Sequence, residues 1–375
     1  MNEQVLEIDR LTKIFISILG IILTIGLVMV WSSSYIIASE TFGNSLHYIL
    51  RQLLFVVLSI VVVLFVSKTK YTFWIKYGFY INLIATAVVA LTIIKGVGAS
   101  AKGASRWLNL GFMTLQPGEI VKFTILLSSL SFFENWNKFE IKERIKHGLS
   151  LILPLALLIK QPDFGSFSIC FMTMAFVGFM SSFPRKYFYY SLGIGFISGL
   201  VLLFSQAYRV KRLLTYLDPW KNPTGSGFQI IQSYLAFAHG KVFGQGLGNS
   251  NEKLFYLPEA HNDFIFSVIG EELGFVGVFC LILLFILFIY FGFKLALKVR
   301  DRVGVILGAS VIFILGLQAL LNMGVVLGLL PTKGLNLPFI SYGGSSLLCN
   351  FFGIGLLMSI TKSSREEMLN ENQVS

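Results

Sequence analysis

The chain has 375 residues, of which 55% are hydrophobic and 13% charged, and its mean hydropathy is +0.75. A soluble domain of this length does not need so much apolar material, so the composition excludes a soluble protein and indicates a polytopic membrane protein. The formal net charge of +11 lies mainly in connections between apolar runs, where we interpret it as an orientation signal and expect no nucleic-acid partner.

Apolar runs long enough to cross a bilayer, roughly 20 residues each, predict about ten transmembrane helices in an all-α integral membrane protein. The first run is too long for a signal peptide and lacks a small-residue cleavage site, so we expect it to remain as an anchor. Residues 1–13 then form a cytoplasmic N-terminal segment, 14–361 a single membrane domain, and 362–375 a polar cytoplasmic tail that we expect to be disordered. The runs fall near 14–36, 47–66, 77–94, 117–133, 146–160, 166–183, 187–206, 275–297, 303–330 and 341–361.

The lysines and arginines of the short connections predict that both termini face the cytoplasm. One set of connections holds 17 basic residues and the opposite set holds six, and the basic side of a membrane protein is usually the cytoplasmic side. This orientation places one long connection, 207–262 between the seventh and eighth helices, on the extracytoplasmic side. Cys170, Cys280 and Cys349 lie inside apolar runs, so we expect no disulfide and no thiol chemistry.

The outer connection after the third run is rich in glycine and serine, which allow tight turns or close approach of the backbone to a ligand. Arg106 adds positive charge there, and Pro117 suits the first turn of the fourth helix. Glu119 and Lys122 are three residues apart, so they project from one helix face and can pair. An ion pair at membrane depth is expensive. The pair therefore indicates either substrate contact or the orientation of two helices.

Two further outer connections carry charge. QPDFGS places Asp163 where it can cap the helix that begins near Ser166. In the long connection, Arg209, Lys211 and Arg212 lie together at a helix end. They are in reach of an anionic head group, which belongs either to surface lipid or to a phosphate-bearing substrate.

The segment 240–250, GKVFGQGLGNS, resembles a phosphate-binding loop but lacks the flanking strand that such a loop needs, so we reject a nucleotide site. His239 and His261 show no metal-ligand spacing with other candidate ligands. The sequence therefore predicts no metal site and indicates no required cofactor. A bound divalent cation could still assist the chemistry.

Three carboxylates, Asp263, Glu271 and Glu272, lie close together in YLPEAHNDFIFSVIGEELG, residues 256–274. A charge near a lipid-embedded helix costs on the order of 2.5–3.5 kcal/mol at the bilayer centre, so it tends to mark function. At helical spacing Asp263 and Glu271 share one face with small residues. The two glutamates are explained equally well by pairing with basic loops at the membrane surface, whereas Asp263 is the candidate catalytic residue. Residues 261–274 form either the top of the eighth helix or a separate short helix.

The last outer connection reads LLPTKGLNLPFISYGGSSLL and brings Lys333 to the same side. Ser341, Gly343 and Gly344 open the tenth helix, where free backbone N–H groups form a surface that favours anions. The alternative for the GGSS run is close helix packing in the membrane.

In these motifs the chain resembles the SEDS family (shape, elongation, division and sporulation), the integral-membrane polymerases of bacterial peptidoglycan. The lysine in PTKG and the alanine in PEAH resemble the division members of the family rather than the elongation members. The motifs appear in the family's order: KGASRWLNLG with QPGEIVKF, QPDFGS, LDPW, GQGLGNS, YLPEAHNDFIFSVIGEELGF and LPTKGLNLPFISYGGSS.

The resemblance implies that the substrate is lipid II, a disaccharide-pentapeptide on undecaprenyl diphosphate, and that Asp263 is the catalytic aspartate. It places the family's membrane-embedded glutamate and lysine at Glu119 and Lys122, and its loop arginine at Arg106. It also implies a class B penicillin-binding protein of the FtsI type as partner, other membrane proteins of the division machinery, and a location in the bacterial cytoplasmic membrane at the septum.

The reaction needs a base and cations, and these residues can supply both. Attack of a sugar hydroxyl on an anomeric carbon needs a general base, and diphosphate leaves as a stable anion whose charge nearby cations can offset. Asp263 would be the base, with Arg106, Lys122 or Lys333 as the cations. A lipid II flippase, an elongation-type polymerase and a division scaffold are the alternatives. Clustering of polar groups at the outer end favours synthesis over transport.

Overall fold

The computed structural model describes residues 3–94, 98–101, 104–109, 111, 114–204, 207–225, 227–250, 260–331 and 334–374. Within these residues the chain forms twelve α-helices and one small β-sheet. The helices are α1 (Glu3–Phe42), α2 (His47–Lys68), α3 (Tyr71–Ile93), α4 (Pro117–Glu134), α5 (Ile141–Lys160), α6 (Phe164–Met180), α7 (Arg185–Phe204), α8 (Ala207–Leu217), α9 (Phe228–Gly240), α10 (Ile265–Leu297), α11 (Arg302–Val326) and α12 (Gly344–Val374).

Within the described residues each of the ten predicted apolar runs is largely helical, which confirms the fold class of a multi-pass helical membrane protein. In the described part of the chain six helices, α1, α2, α3, α10, α11 and α12, are long and apolar enough to cross a membrane. The orientation of the termini stays a prediction.

α4 lies at the centre of the bundle, where it packs against α3, α5, α6, α11 and α12. Almost all of its side chains are buried, which fits its position among five helices. The outer surfaces of α2, α3 and α7 instead expose large apolar side chains, among them Phe65, Ile84 and Phe196. These surfaces face lipid in a membrane protein, so the polar groups on α4 are shielded from the bilayer by its neighbours.

The connection between α3 and α4 contains the sheet, which the sequence did not predict. Strands β1 (Gly98–Ala101), β2 (Ala104–Asn109) and β3 (Thr114–Leu115) pair antiparallel in that order. The sheet contacts α3, α4 and α12, and β2 carries Arg106. The long connection 207–262 is also partly helical, with α8, a 3₁₀ turn at Pro219–Lys221 and α9.

The expectation of a disordered tail is wrong, because α12 continues to Val374. Ion pairs at the end of the bundle explain this: Arg365 lies 3.1 Å from Asp9 on α1, and Arg300 pairs with Glu371. The polar ends of α1 and α12 are therefore packed together as helices.

α10 is interrupted at Gly274, whose φ of 66° and ψ of −166° are not helical. Residues 265–273 thus form a short helix of their own, and residues 275–297 form the long span. This decides between the two possibilities for residues 261–274 in favour of a separate short helix.

Candidate active site

Asp263 lies in the turn 260–264 that directly precedes α10, and it is partly exposed. Other segments hold this turn by hydrogen bonds. The side-chain amide of Asn322 on α11 donates to the Asp263 carbonyl over 2.8 Å. The Ser341 hydroxyl donates to the carbonyl of the preceding residue, Asn262, over 2.7 Å. The backbone that carries the candidate base is therefore fixed from two directions.

His261 supports the same turn from its other side. Its carbonyl accepts from the Tyr342 backbone amide over 2.9 Å, and its ring centroid lies 4.7 Å from that of Tyr48. Tyr48 and Tyr342 also make an edge contact, with centroids 5.1 Å apart. His261 thus joins the turn to α2 and to the segment before α12, which is a supporting role.

The loop before α12 lies directly against the Asp263 carboxylate. A Cβ atom built on Gly334 would stand 2.9 Å from Asp263 Oδ2, so a side chain at this position would push the carboxylate out of its present place. Gly334 is itself exposed. Lys333, the predicted cation of this loop, precedes it immediately in sequence and lies outside the described residues.

Glu119 and Lys122 form the predicted ion pair on α4, with Lys122 Nζ 2.6 Å from Glu119 Oε2. Their side chains are only 3% and 0% exposed. The ammonium also donates to Gln318 Oε1 over 2.7 Å, so two of its three N–H groups are engaged. Taking two charges out of water costs several kcal/mol per ion, and this geometry offsets that cost. Lys122 is therefore a fixed, buried cation rather than a mobile surface one.

The Arg106 side chain lies against the backbone that directly precedes Asp163. The Arg106 guanidinium donates to the carbonyls of Gln161 and Pro162, directly before Asp163. The Asp163 carboxylate caps α6, accepting from the Ser166 amide over 3.2 Å and from its hydroxyl over 2.8 Å, which confirms the predicted N-cap.

This capped corner touches α4 one residue before its ion pair. A Cβ atom on Gly118 would stand 3.1 Å from Asp163 Oδ2. Arg106, Asp163 and the buried pair on α4 thus belong to one neighbourhood.

Two residues that the sequence reasoning missed connect this neighbourhood to Asp263. Gln318 and Asn322 on α11 are both buried, and they contact Lys122 and the Asp263 backbone respectively. The signal was present in the sequence, because two amides four residues apart in an otherwise apolar span lie on one helix face.

The predicted anion surface at the start of α12 is occupied by packing contacts. The Ser341 hydroxyl also accepts from the Leu337 amide over 2.8 Å, and the Gly343 amide donates to Gln52 Oε1 over 3.4 Å. Gly344 faces the ring of Phe55 so closely that a Cβ atom would collide with it. The described contacts at Ser341, Gly343 and Gly344 are those of close packing, the alternative that the sequence left open.

Glu271 and Glu272 are buried inside the protein, at 0% and 1% exposure. Glu272 accepts from the Ser32 hydroxyl on α1 over 2.6 Å. Glu271 accepts from the Ser250 hydroxyl and lies 3.8 Å from His239. Glu272 thus contacts α1, whereas Glu271 contacts α9 and the segment after it, so the two acids join the C-terminal end of the short helix 265–273 to these elements.

Arg209 and Arg212 lie on α8, which packs mainly against α7 and the turn 219–221. Only the backbone of Arg209 is among the described parts, and the Arg212 side chain is half-buried.

A metal site would need several carboxylate or imidazole ligands in one place. Nowhere in the described ranges do three or more histidine, cysteine, aspartate or glutamate side chains come together as a possible ligand set. On α4, the carboxylate of Glu119 is already paired with Lys122. These residues do not form a ready-made cation site.

Comparison with known proteins identifies the family. Residues 12–366 match the family model FtsW/RodA/SpoVE, described as cell cycle protein. The chain is 39% identical over 366 residues to a probable peptidoglycan glycosyltransferase FtsW of Geobacter metallireducens, covering 95% of this chain and 96% of that one. It is 36% identical over 349 residues to the stage V sporulation protein E of Bacillus subtilis, covering 92% and 95%.

Solved structures agree in fold. A chain from a structure of a peptidoglycan synthase complex that coordinates polymerization and crosslinking superposes with a TM-score of 0.73 at 27% identity, covering 93% of this chain and 97% of that chain. The rod shape determining protein RodA of Thermus thermophilus superposes with a TM-score of 0.67 at 23% identity, covering 93% and 96%.

Proposed function

This chain belongs to the FtsW/RodA/SpoVE family of cell cycle proteins, and from that membership we propose that it is a peptidoglycan glycosyltransferase that polymerises lipid II at the outer face of the cytoplasmic membrane. One observation carries the proposal. A partly exposed carboxylate, Asp263, is held rigidly by its backbone and lies against a loop that also contacts the buried cation Lys122 through Gln318.

Asp263 is the general base in this proposal. It takes the proton from the 4-hydroxyl of the attacking sugar, whose oxygen forms a bond to the anomeric carbon of the other substrate as the bond to diphosphate breaks. A positioned base contributes typically 10²–10⁴-fold to such a reaction. An ordinary glycosidase needs a second acid to protonate its leaving group. Diphosphate leaves as a stable anion, so one carboxylate is sufficient.

Three candidate cations in different environments offset the charge on the departing diphosphate in this proposal. Arg106 is half-buried on β2 and holds the corner beside Asp163. Lys122 is fully buried and bonded to Glu119 and Gln318, so in this conformation it acts through its field and by fixing its neighbours. Lys333 is the third candidate, from its place in the sequence next to Gly334.

The proposal includes a partner and a place. Relatives named FtsW, together with the PTKG and PEAH motifs, support a role in cell division at the septum. The match to a chain from a peptidoglycan synthase complex that coordinates polymerization and crosslinking supports a transpeptidase partner, a class B penicillin-binding protein.

Polymerisation by purified protein tests the function. The protein and its Asp263→Asn variant are incubated with labelled lipid II, with and without the transpeptidase partner, and glycan chains are resolved by gel. The variant keeps the shape of the side chain and loses its basicity, so we expect the rate to fall by about 10²–10⁴-fold. Asp301→Asn is the matched control, because Asp301 caps α11 at the opposite end of that helix from the Asn322 contact and asparagine caps equally well.

Two outcomes overturn the proposal. One is an Asp263→Asn variant that makes glycan as fast as the parent protein. The other is a parent protein that, with its partner present, makes no glycan but moves lipid II between leaflets of proteoliposomes, which would establish the flippase.

A further inference from the structure

Two buried amides on α11 link the charged groups of the site through one loop. Gln318 and Asn322 are 0% and 2% exposed and lie four residues apart, so both project from the same helix face. A buried amide without a partner costs free energy. Each of these two makes contacts that fix its orientation.

Gln318 uses both ends of its side chain. Its Oε1 accepts from Lys122 Nζ over 2.7 Å, and its Nε2 donates to the Asn336 carbonyl over 2.9 Å. A flipped amide would place an NH₂ group against an ammonium and an oxygen against a carbonyl, so only one orientation is compatible with both neighbours. Gln318 therefore ties the α4 cation to the loop 334–341.

Asn322 makes the corresponding link to the base. Its Nδ2 donates to the Asp263 carbonyl over 2.8 Å and to the Leu335 carbonyl over 2.5 Å. Its Oδ1 is buried and has no hydrogen-bond partner among the described residues. The two donor contacts hold the side chain in this orientation.

Gln318 and Asn322, which lie one helical turn apart on α11, donate to consecutive backbone carbonyls, those of Asn336 and Leu335. Gly334, the residue before them, lies against the Asp263 carboxylate. The loop is consequently held in one register between Lys122 on one side and Asp263 on the other.

We propose that Gln318 and Asn322 are positioning residues that set the place of Asp263 relative to the α4 ion pair through the loop 334–341. The kinetic consequences of this inference rest on the proposed function. Its structural consequences rest on the hydrogen bonds alone. A misplacement of a catalytic group by about 1 Å can cost 10²-fold in rate, so loss of either amide lowers the turnover number while substrate binding stays nearly unchanged.

Apolar variants of similar size test this. Asn322→Leu keeps the branching of the side chain and Gln318→Met keeps its approximate length, and both lose the hydrogen bonds. The matched control is Asn82→Leu, because Asn82 on α3 is also fully buried, donates to the Ser150 carbonyl over 2.7 Å and accepts from Thr124 over 3.0 Å. All three variants remove one buried amide from a helix, and only the first two lose a link to the loop.

Initial rates with lipid II, measured with the partner present, separate positioning from general stability. We expect kcat to fall about 100-fold for Asn322→Leu and about 10-fold for Gln318→Met, with KM within about 3-fold of the parent. Asn82→Leu should keep kcat within about 3-fold while losing as much thermal stability as the other two. A loss of activity that follows the loss of thermal stability across all three variants would show a merely structural role and overturn the inference.

Hydrogen exchange provides a readout that does not depend on catalysis. Asn322→Leu should speed exchange at the backbone amides of 260–264 and 334–341 by about 10-fold or more, and Asn82→Leu should leave both segments unchanged. Unchanged exchange in Asn322→Leu refutes the positioning role even in a protein that makes no glycan. If the parent protein makes no glycan while exchange rises as expected, the proposed function fails and the positioning role stands.

Discussion

Replacing Lys122 by methionine isolates the energetics of the buried ion pair. The change keeps the aliphatic stem, removes the ammonium and leaves Glu119 charged on a side chain that is 3% exposed. Removing one partner of a buried pair costs about 3–5 kcal/mol, since the remaining charge is neither solvated nor paired. Glu119→Met should cost less, because Lys122 keeps its bond to Gln318 over 2.7 Å.

The double variant Glu119→Met with Lys122→Met removes both charges together. Apolar replacement of a whole buried pair is often neutral or stabilising, so we expect the double variant to be more stable than Lys122→Met alone. Unfolding in mixed micelles with increasing sodium dodecyl sulfate measures the four proteins of this cycle. Strictly additive losses, or a loss below about 1 kcal/mol for Lys122→Met, would refute the reasoning that an unpaired buried charge dominates. The recovered stability should not restore glycan synthesis, because Gln318 has lost its charged partner.

Two other substitutions have expected outcomes. Gly274→Ala should lower the free energy of unfolding by about 1–3 kcal/mol, because a side chain at this positive φ is strained. Its Cβ would also stand 2.6 Å from the Val242 carbonyl oxygen. Gly20→Ala is the control and should be neutral or stabilising, because nothing lies within 4 Å of its Cβ. Asp163→Ala should lower the free energy of unfolding by about 1 kcal/mol, because it removes the N-cap of α6. Asp163→Asn should keep the parent stability, because asparagine caps equally well. Equal losses of stability in the two variants would contradict the capping role.

Local patterns in the sequence predicted local features of the fold. The ten apolar runs form helices because a helix makes its backbone hydrogen bonds within the segment, as an apolar environment requires. Spacing alone placed Glu119 and Lys122 on one face, and the short QPDFGS motif placed Asp163 at a cap. All of these depend on residues within one or two turns of each other.

Contacts between distant segments were not predictable in the same way. Asn322 reaches Asp263 across 59 positions, and Gln318 reaches Lys122 across 196. Their polarity on an apolar helix marked them as unusual, but only the packing of α4, α10 and α11 shows which groups they meet. The helical tail likewise forms ion pairs with Asp9 on α1 and with Arg300 before α11, so its polar composition alone led to the wrong expectation.

The interruption of α10 explains a segment for which sequence reasoning found no role. A break inside a membrane span frees backbone groups that must find other partners. Residues 241–246 supply them: the amides of Gln245 and Gly246 donate to the carbonyls of Glu271 and Glu272, while Phe275 and Val276 donate to the carbonyls of Lys241 and Val242.

Such close approach between two backbones needs glycine. Gly244 has a φ of 82° and faces the Glu272 carbonyl, and Gly240 faces the Gly270 carbonyl, so neither leaves space for a Cβ atom. The glycine-rich run 240–250 is therefore a backbone partner for the broken helix rather than a phosphate loop. The break separates the short helix 265–273 from the long span, and the turn before that short helix, which carries Asp263, is held by hydrogen bonds from Asn322 and Ser341 on other segments.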